Sequence, residues 1–297
     1  MRRLWTSLLG VVIAATGCAA GATDDGRVRV VAAFYPLEFV ARQVAGDRAE
    51  VRGLAPSGAE PHDLELTPKQ VGTLREADLL LLLEGFQPAV DDAAAQADVA
   101  ALDVADVEPL ETGFTPIDDG ELHEDERGFD PHVWLDPRRL SAIARAVADR
   151  LGSIDRTGAD TYQRGAQRMV ADLTTLDGEF RQGLRQCARR EIVTSHNAFG
   201  YLARAYRLEQ IGITGLTPED DPSPGRLAAV VDLARRRRVT TIFFEEAVSP
   251  KVARSIAREV GAQAVVLSPL ETAPADGDYF TAMRRNLRAL RTALGCT

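Results

Sequence analysis

Between residues 159 and 187 the chain carries one continuous apolar stripe and no strand signal. The apolar side chains fall at Tyr162, Ala166, Met169, Leu173, Leu176, Phe180 and Leu184. Steps of three and four residues keep them on one face of a helix that turns every ~3.6 residues. About 28 residues at ~1.5 Å each make a rod of ~42 Å, long enough to cross a molecule of this size. The alternative is two helices broken near Asp177-Gly178. On both sides of the rod the pattern is different. Short apolar runs at 28–34, 51–54, 77–83 and 99–103 alternate upstream with helical segments at 36–45, 68–76 and 88–97. Asp136-Pro137 then marks the start of a helix reaching about residue 151. Downstream, apolar runs at 191–195, 208–213, 239–244 and 264–267 alternate with helices at 198–206, 224–238, 250–260 and 278–294. Strands that alternate with helices imply parallel sheets covered on both faces. The spacing therefore predicts an α/β chain with one lobe at 27–154, a linking helix at 155–187 and a second lobe at 188–297.

The chain opens Met1-Arg2-Arg3 and continues uncharged from 4 to 15. A run of about twelve residues is too short to span a bilayer core of ~30 Å. It has the form of a secretory signal over 1–17. The sequence Ala14-Ala15-Thr16-Gly17-Cys18 resembles the bacterial lipobox, in which Cys18 becomes the lipidated first residue of the mature chain. An ordinary signal with a chance cysteine is the alternative. Residues 18–26 then form a polar tether reaching at most ~28 Å. The full chain holds 35 Lys and Arg against 44 Asp and Glu, a formal charge of −9. Cleavage after residue 17 leaves 33 against 44, or −11. Such a balance disfavours nucleic acid, which needs a basic surface. Arg235, Arg236, Arg237 and Arg238 end a helix, where cations complement the helix dipole. Secretion leaves Cys187 and Cys296 free to pair in an oxidising compartment, or to stand as two separate buried thiols. A bridge closing about 110 residues contributes roughly 4–5 kcal/mol on a chain-entropy account.

The chain has four histidines. His62 follows the second apolar run, in Gly58-Ala59-Glu60-Pro61-His62-Asp63. His132 lies just before a helix start, and His196 directly follows the run 191–195. Ligands of open α/β sheets bind in the crevice outside the carboxyl ends of the strands. Two of these histidines come from the first lobe and one from the second, so a site built from them lies between lobes. The last strand leads into Ser268-Pro269-Leu270-Glu271, which puts Glu271 at the same edge as His196. Three imidazoles and one carboxylate suit Zn²⁺ in tetrahedral geometry, whereas Mn²⁺ favours more oxygen. Glu60 is a rival oxygen donor or a hydrogen-bond partner for a ligating histidine. His123 sits in an acidic loop and reads as a surface residue or a weak collector of cations.

At these residues the chain resembles the solute-binding lipoproteins of zinc and manganese ABC importers (the cluster A-I type). The resemblance covers essentially the whole mature chain. It rests on GAEPHDLELTP at 58–68, DPHVWLDP at 130–137 and SHNAFGYLARAY at 195–206. Phe244-Glu245-Glu246 and the segment 267–271 add to it. The resemblance implies two α/β lobes, a rigid helix between them, and a metal in the interlobe cleft held by His62, His132, His196 and Glu271. A histidine at position 196 resembles the zinc-binding members; manganese members usually have a carboxylate there. Leu66 stands where the family often has proline, and the loop before the second ligand is short, acidic and holds only His123. The implied partners are a membrane permease and a separate ATPase, with the chain itself a lipid-anchored monomer on the extracytoplasmic face of a bacterial membrane. The chain has no GxxxxGK segment of its own for ATP.

Two other function classes remain at this level. A secreted zinc hydrolase would use the three histidines with an open metal position and Glu245 or Glu246 as base. Neither HExxH nor GxSxG occurs, and a fourth protein ligand would close the site. An adhesin is compatible with lipid anchoring, but no extended apolar or aromatic patch is visible in the sequence.

Overall fold

A computed structural model of the chain describes residues 26–56, 58–111, 128–218, 221–246 and 249–297. The expected signal segment, Cys18 and His123 lie outside the described residues. Two four-stranded parallel sheets are present. The first holds β1 (Val28–Ala32), β2 (Ala49–Gly53), β3 (Leu79–Leu82) and β4 (Ala101–Asp103) in the order β2-β1-β3-β4. The second holds β5 (Glu191–Thr194), β6 (Glu209–Gly212), β7 (Thr241–Phe244) and β8 (Gln263–Val266) in the order β6-β5-β7-β8. Val30 sits between Val51 and Leu79, and all four residues of β3 are buried leucines. In each sheet the chain winds first to one side of its opening strand and then to the other. Loops that leave the strand ends at such a switch diverge and open a crevice.

Apart from a four-residue helix at 104–107, which the apolar pattern does not show, the helices begin where the sequence signals them. They are α1 (Tyr35–Ala45), α2 (Pro68–Arg75), α3 (Pro88–Ala97), α4 (Val104–Val107) and α5 (Pro137–Ile154), then α6 (Ala159–Gly183), α7 (Gly200–Tyr206), α8 (Pro224–Arg236), α9 (Lys251–Val260) and α10 (Tyr279–Leu294). Proline opens α1, α2, α3, α5 and α8, where its missing N–H costs nothing. Thr67 and Gln70 close a capping box on α2, and the Asp136 carboxylate accepts the Arg138 N–H at the start of α5.

The apolar stripe forms one helix, α6, unbroken through Gly178. Its 25 residues make a rod of about 38 Å. Tyr162, Ala166, Met169, Leu173, Leu176 and Phe180 are all buried; Leu184 is buried just past its end. The start of α6 packs on α1 and α5. A Cβ on Gly165 would stand 2.1 Å from the Val44 carbonyl oxygen, so this close crossing requires glycine. Asp155 fixes the turn from α5 to α6. It accepts from Arg48 (2.6 Å), the Tyr162 hydroxyl (2.9 Å) and the backbone of Thr157 and Gly158. At the far end, Glu179 pairs with Arg284 of α10 at 2.8 Å.

A continuous apolar cluster runs from the first sheet through α6 into the junction of the lobes, where the Phe39 ring lies 5.6 Å from those of Tyr279 and Phe280. A smaller cluster joins the second sheet to α8 and α9. Cys187 and Cys296 form a disulfide that ties the C-terminal end to the exit of α6.

Candidate metal centre

Each of the four residues singled out in the sequence is placed by its own local device. His132 lies in Asp130-Pro131-His132, ahead of a 3-10 turn and the N-cap of α5. Asp130 Oδ1 accepts both the backbone N–H of His132 (3.0 Å) and its ring Nδ1 (2.7 Å). His196 follows β5, where its carbonyl accepts from Thr194 (2.7 Å) and Gln210 (3.0 Å). Its Nδ1 lies 2.6 Å from Oε1 of Glu245, the residue after β7; the same oxygen accepts the Ser195 hydroxyl. His62 follows β2; its backbone N–H donates to Glu60 Oε1 (3.2 Å), and its ring stands edge-on to Phe86 at 4.6 Å. Glu271 follows β8 and Leu270, which holds φ +59°, a conformation that branched side chains rarely adopt. The Trp134 indole N–H donates to the Pro269 carbonyl (2.7 Å), and the Tyr279 hydroxyl donates to the Trp134 carbonyl (2.6 Å). The first bond joins the segments that carry His132 and Glu271, and the second ties the His132 segment to α10.

The ligand atoms of His62, His132, His196 and Glu271 all lie within 4.8 Å of one another. Glu271 Oε1 is 2.9 Å from His132 Nε2, 3.4 Å from His196 Nε2 and 3.6 Å from His62 Nε2. The Nε2 atoms of His132 and His196 are 3.4 Å apart. Zinc bonds of ~2.0–2.1 Å at tetrahedral angles separate neighbouring ligand atoms by roughly 3.4 Å, so the spacing suits a tetrahedral ion. Carboxylates at both Nδ1 positions favour the Nδ1–H tautomer and turn Nε2 lone pairs inward. The His62 Nε2 is buried and makes no hydrogen bond. Lone pairs and a carboxylate oxygen aimed at one point repel each other unless a cation or protons lie among them.

The electrostatics follow from the same contacts. Burial disfavours charge on His132, but Asp130 and Glu271 outweigh it and raise its pKa above the ordinary imidazole value. Burial is likewise outweighed at His196, by Glu245 and Glu271, and its pKa stands well above that value. Burial lowers the pKa of His62. Burial favours the neutral acid at Glu271, yet the His132, His196 and His62 rings around it hold its pKa well below the usual carboxylate range.

Glu60 does not join the four; its Oε1 serves the His62 backbone. Glu245, considered in the sequence only as a catalytic base, instead orients His196, and Glu246 is exposed. The orienting role of Asp130 was missed. Its signal is local: an Asp two residues before a histidine and separated by proline can hold that ring from its own loop.

The family described as zinc-uptake complex component A, periplasmic (ZnuA), matches residues 30–293. The high-affinity zinc uptake system protein ZnuA of Bacillus subtilis is 31% identical over 320 residues, covering 99% of each chain. The chain belongs to the ZnuA family. The zinc-binding lipoprotein AdcA of Streptococcus pneumoniae is 32% identical over 280 residues, which cover 90% of this chain. The chain matches 56% of the length of AdcA. Among solved structures, the laminin-binding protein Lmb of Streptococcus agalactiae, described as an adhesin with metal-transporting activity, superposes with a TM-score of 0.80 at 32% identity. The match covers 90% of this chain and 99% of Lmb. The Zn(II)-bound ZnuA-like domain of pneumococcal AdcA superposes at 0.75 with 31% identity, covering 91% and 99%. These ZnuA-family structures share the two-lobe fold. Among the described residues, no helix is long and apolar enough to cross a membrane.

Proposed function

We propose that this chain is an extracytoplasmic receptor that captures Zn²⁺ in its interlobe cleft and passes it to a membrane importer. The observation that carries the reading is the convergence of three histidines and Glu271, one ligand atom each, within 4.8 Å. His62, His132, His196 and Glu271 are the proposed ligands, His62 and His132 from the first lobe and His196 and Glu271 from the second. Three neutral imidazoles favour Zn²⁺ over Mn²⁺, for which the set is poor in oxygen. Asp130 and Glu245 act as orienting partners, which raise ligand basicity and hold the rings in place. Cargo, not catalysis, suits this donor set: four protein ligands complete a tetrahedron and leave no position for a reacting water. The proposed partners are a permease and a separate ATPase, and Cys18 is the proposed lipid anchor. A monomer suffices, since one chain supplies every ligand.

Metal analysis of the purified chain, with calorimetric titration of Zn²⁺ and Mn²⁺, tests this. The expected result is one tightly bound Zn²⁺ per chain and weaker Mn²⁺. His196→Ala should weaken Zn²⁺ binding by orders of magnitude with the fold retained, and unchanged affinity would remove His196 from the site. Glu271→Ala should weaken binding far more than Glu60→Ala. The likeness to Lmb favours attachment to laminin as a second reading, tested by binding of the purified chain to immobilised laminin.

A further inference from the structure

The second lobe meets the exit of α6 at a cavity of about 200 Å³, away from the histidines. Four arginines line it, Arg181, Arg185, Arg190 and Arg207, with Leu184 and Tyr206 beside them. That density of positive charge runs against the composition of a chain with a formal charge of −9. Helix ends account for part of it, since α6 and α7 both terminate here and expose carbonyls that cations stabilise. Arg190 serves that purpose and donates to the carbonyls of Leu184 (2.8 Å) and Arg185 (2.9 Å). Arg181 pairs with Asp177 at 2.7 Å. Asp177 is already shared: it accepts the Tyr206 hydroxyl at 3.1 Å and lies 3.9 Å from Arg138. Arg185 and Arg207 are different. Both are exposed, and among the described residues neither side chain has an ion pair or hydrogen bond. Arg207 caps α7 in the left-handed conformation (φ +58°), so it projects from a fixed point. Asp177 is therefore the one carboxylate, among the described residues, paired with any of the four guanidinium groups.

We propose that this cavity binds a phosphate-bearing anion. The guanidinium groups of Arg185 and Arg207, unpaired among the described residues, line the cavity with Arg181 and Arg190 beside them. More than one guanidinium fork suits a tetrahedral oxyanion, whose oxygens accept in several planes; a carboxylate has two coplanar oxygens and suits one fork. The cavity is too small for a polyanion, and the net charge of −9 disfavours nucleic acid. The same chemistry has two sources. One is the headgroup of an anionic phospholipid in the membrane surface beside which a lipid-anchored chain would sit. The other is soluble phosphate or a phosphate ester. The inference does not depend on the metal reading, because none of the four arginines touches the histidine cluster.

The test uses the purified chain in chloride buffer. Inorganic phosphate is titrated by calorimetry, with the arginine Nε–H signals followed by NMR. In parallel, the chain is sedimented with vesicles of phosphatidylglycerol or of phosphatidylcholine. The variant is Arg185→Gln combined with Arg207→Gln; both positions are exposed, and an unchanged Zn²⁺ titration checks its fold. Saturable phosphate binding that the double substitution weakens at least roughly tenfold supports the site with a soluble source. Binding to phosphatidylglycerol vesicles alone, lost in the same variant, supports it with the headgroup as source. Dissociation constants weaker than about 10 mM for phosphate together with no vesicle binding overturn it. Binding of either kind that the variant keeps undiminished overturns it too.

Discussion

At the scale of single residues, the site is governed by what stands behind its histidines. Asp130 and Glu245 each hold an Nδ1, at 2.7 and 2.6 Å, so Asp130→Asn and Glu245→Gln should each weaken Zn²⁺ binding by about 10–100-fold with the fold retained. Competition titration with a zinc chelator reads this directly. The same carboxylates set the pH dependence. In the metal-free chain His132 and His196 have raised pKa values, so the folded state keeps protons that the unfolded state loses above about pH 6.5. Their contribution to stability is fully present below that pH and is lost as pH rises through their folded values. Glu271 has the opposite sign: its contribution is present above the ordinary carboxylate range and is lost as pH falls through its depressed folded value. Zinc must displace the imidazole protons. The rise in melting temperature on adding zinc should therefore be larger at about pH 8 than at about pH 6, as scanning calorimetry would show. A rise that stayed constant would mean no proton leaves the site. Much of this centre was legible in the sequence, because His62, His132 and His196 each follow a recognisable strand end or precede a helix cap. Glu245 was not read as an orienting partner, since it meets the His196 ring only through the packing of loops 49 residues apart in the chain, whereas Asp130 was missed although it shares the loop of His132. Glu60 shows the converse: two residues before His62 in sequence, it accepts from the His62 backbone and not from its ring.

At the scale of elements, periodicity carried most of the reading. The eight strands fall on the short apolar runs, and the long stripe is one helix because Gly178 is exposed and Asp177 is satisfied by Arg181 and the Tyr206 hydroxyl, so neither interrupts its buried side. Less legible was what presses on it. Gly165 has no sequence signature, yet the backbone of α1 fills the space where its side chain would be. Gly165→Leu should destabilise the chain by about 1–3 kcal/mol or more through overpacking at this crossing, seen as a lower urea midpoint. A second element-level device is α7, which carries Tyr201. Its hydroxyl accepts the Glu111 N–H (2.8 Å) and donates to the Asp130 carbonyl (3.0 Å). Arg139 and Arg204 lie 4.8 and 5.1 Å from its ring and both pair with Glu111. Tyr201→Phe removes both hydroxyl bonds while leaving the ring between the arginines. It should cost about 1–3 kcal/mol and loosen Asp130, so zinc affinity should fall by less than in Asp130→Asn.

At the scale of the whole molecule, the question is how far two lobes that share a site can separate. In a hinged protein the cleft is crossed by loops and lined by polar groups. Here the junction is apolar: Phe39 packs on Tyr279 and Phe280, and Trp134 donates to the Pro269 carbonyl and accepts from the Tyr279 hydroxyl, both bonds buried. One helix, α6, packs on α1 and α5 at its start and pairs with α10 at its end, so a wide rotation would strip its buried stripe from one partner. Re-exposing even a few of these side chains costs about 1.5–3 kcal/mol each, more than the difference between an open and a closed receptor would normally supply. The Cys187–Cys296 bridge adds a covalent tie at the exit of α6. Release of the ion is then a local event, in which the His62 side chain, 10% exposed against 0% for His132 and His196, is placed to move first. The radius of gyration from solution scattering should agree within error between metal-free and zinc-loaded chains. Hydrogen exchange should rise on zinc removal in the loop around His62 before it rises in α5, α6 or α10. A clear increase in radius on removing zinc, or exchange spreading first through α6, would show that the lobes part as rigid bodies despite the apolar junction.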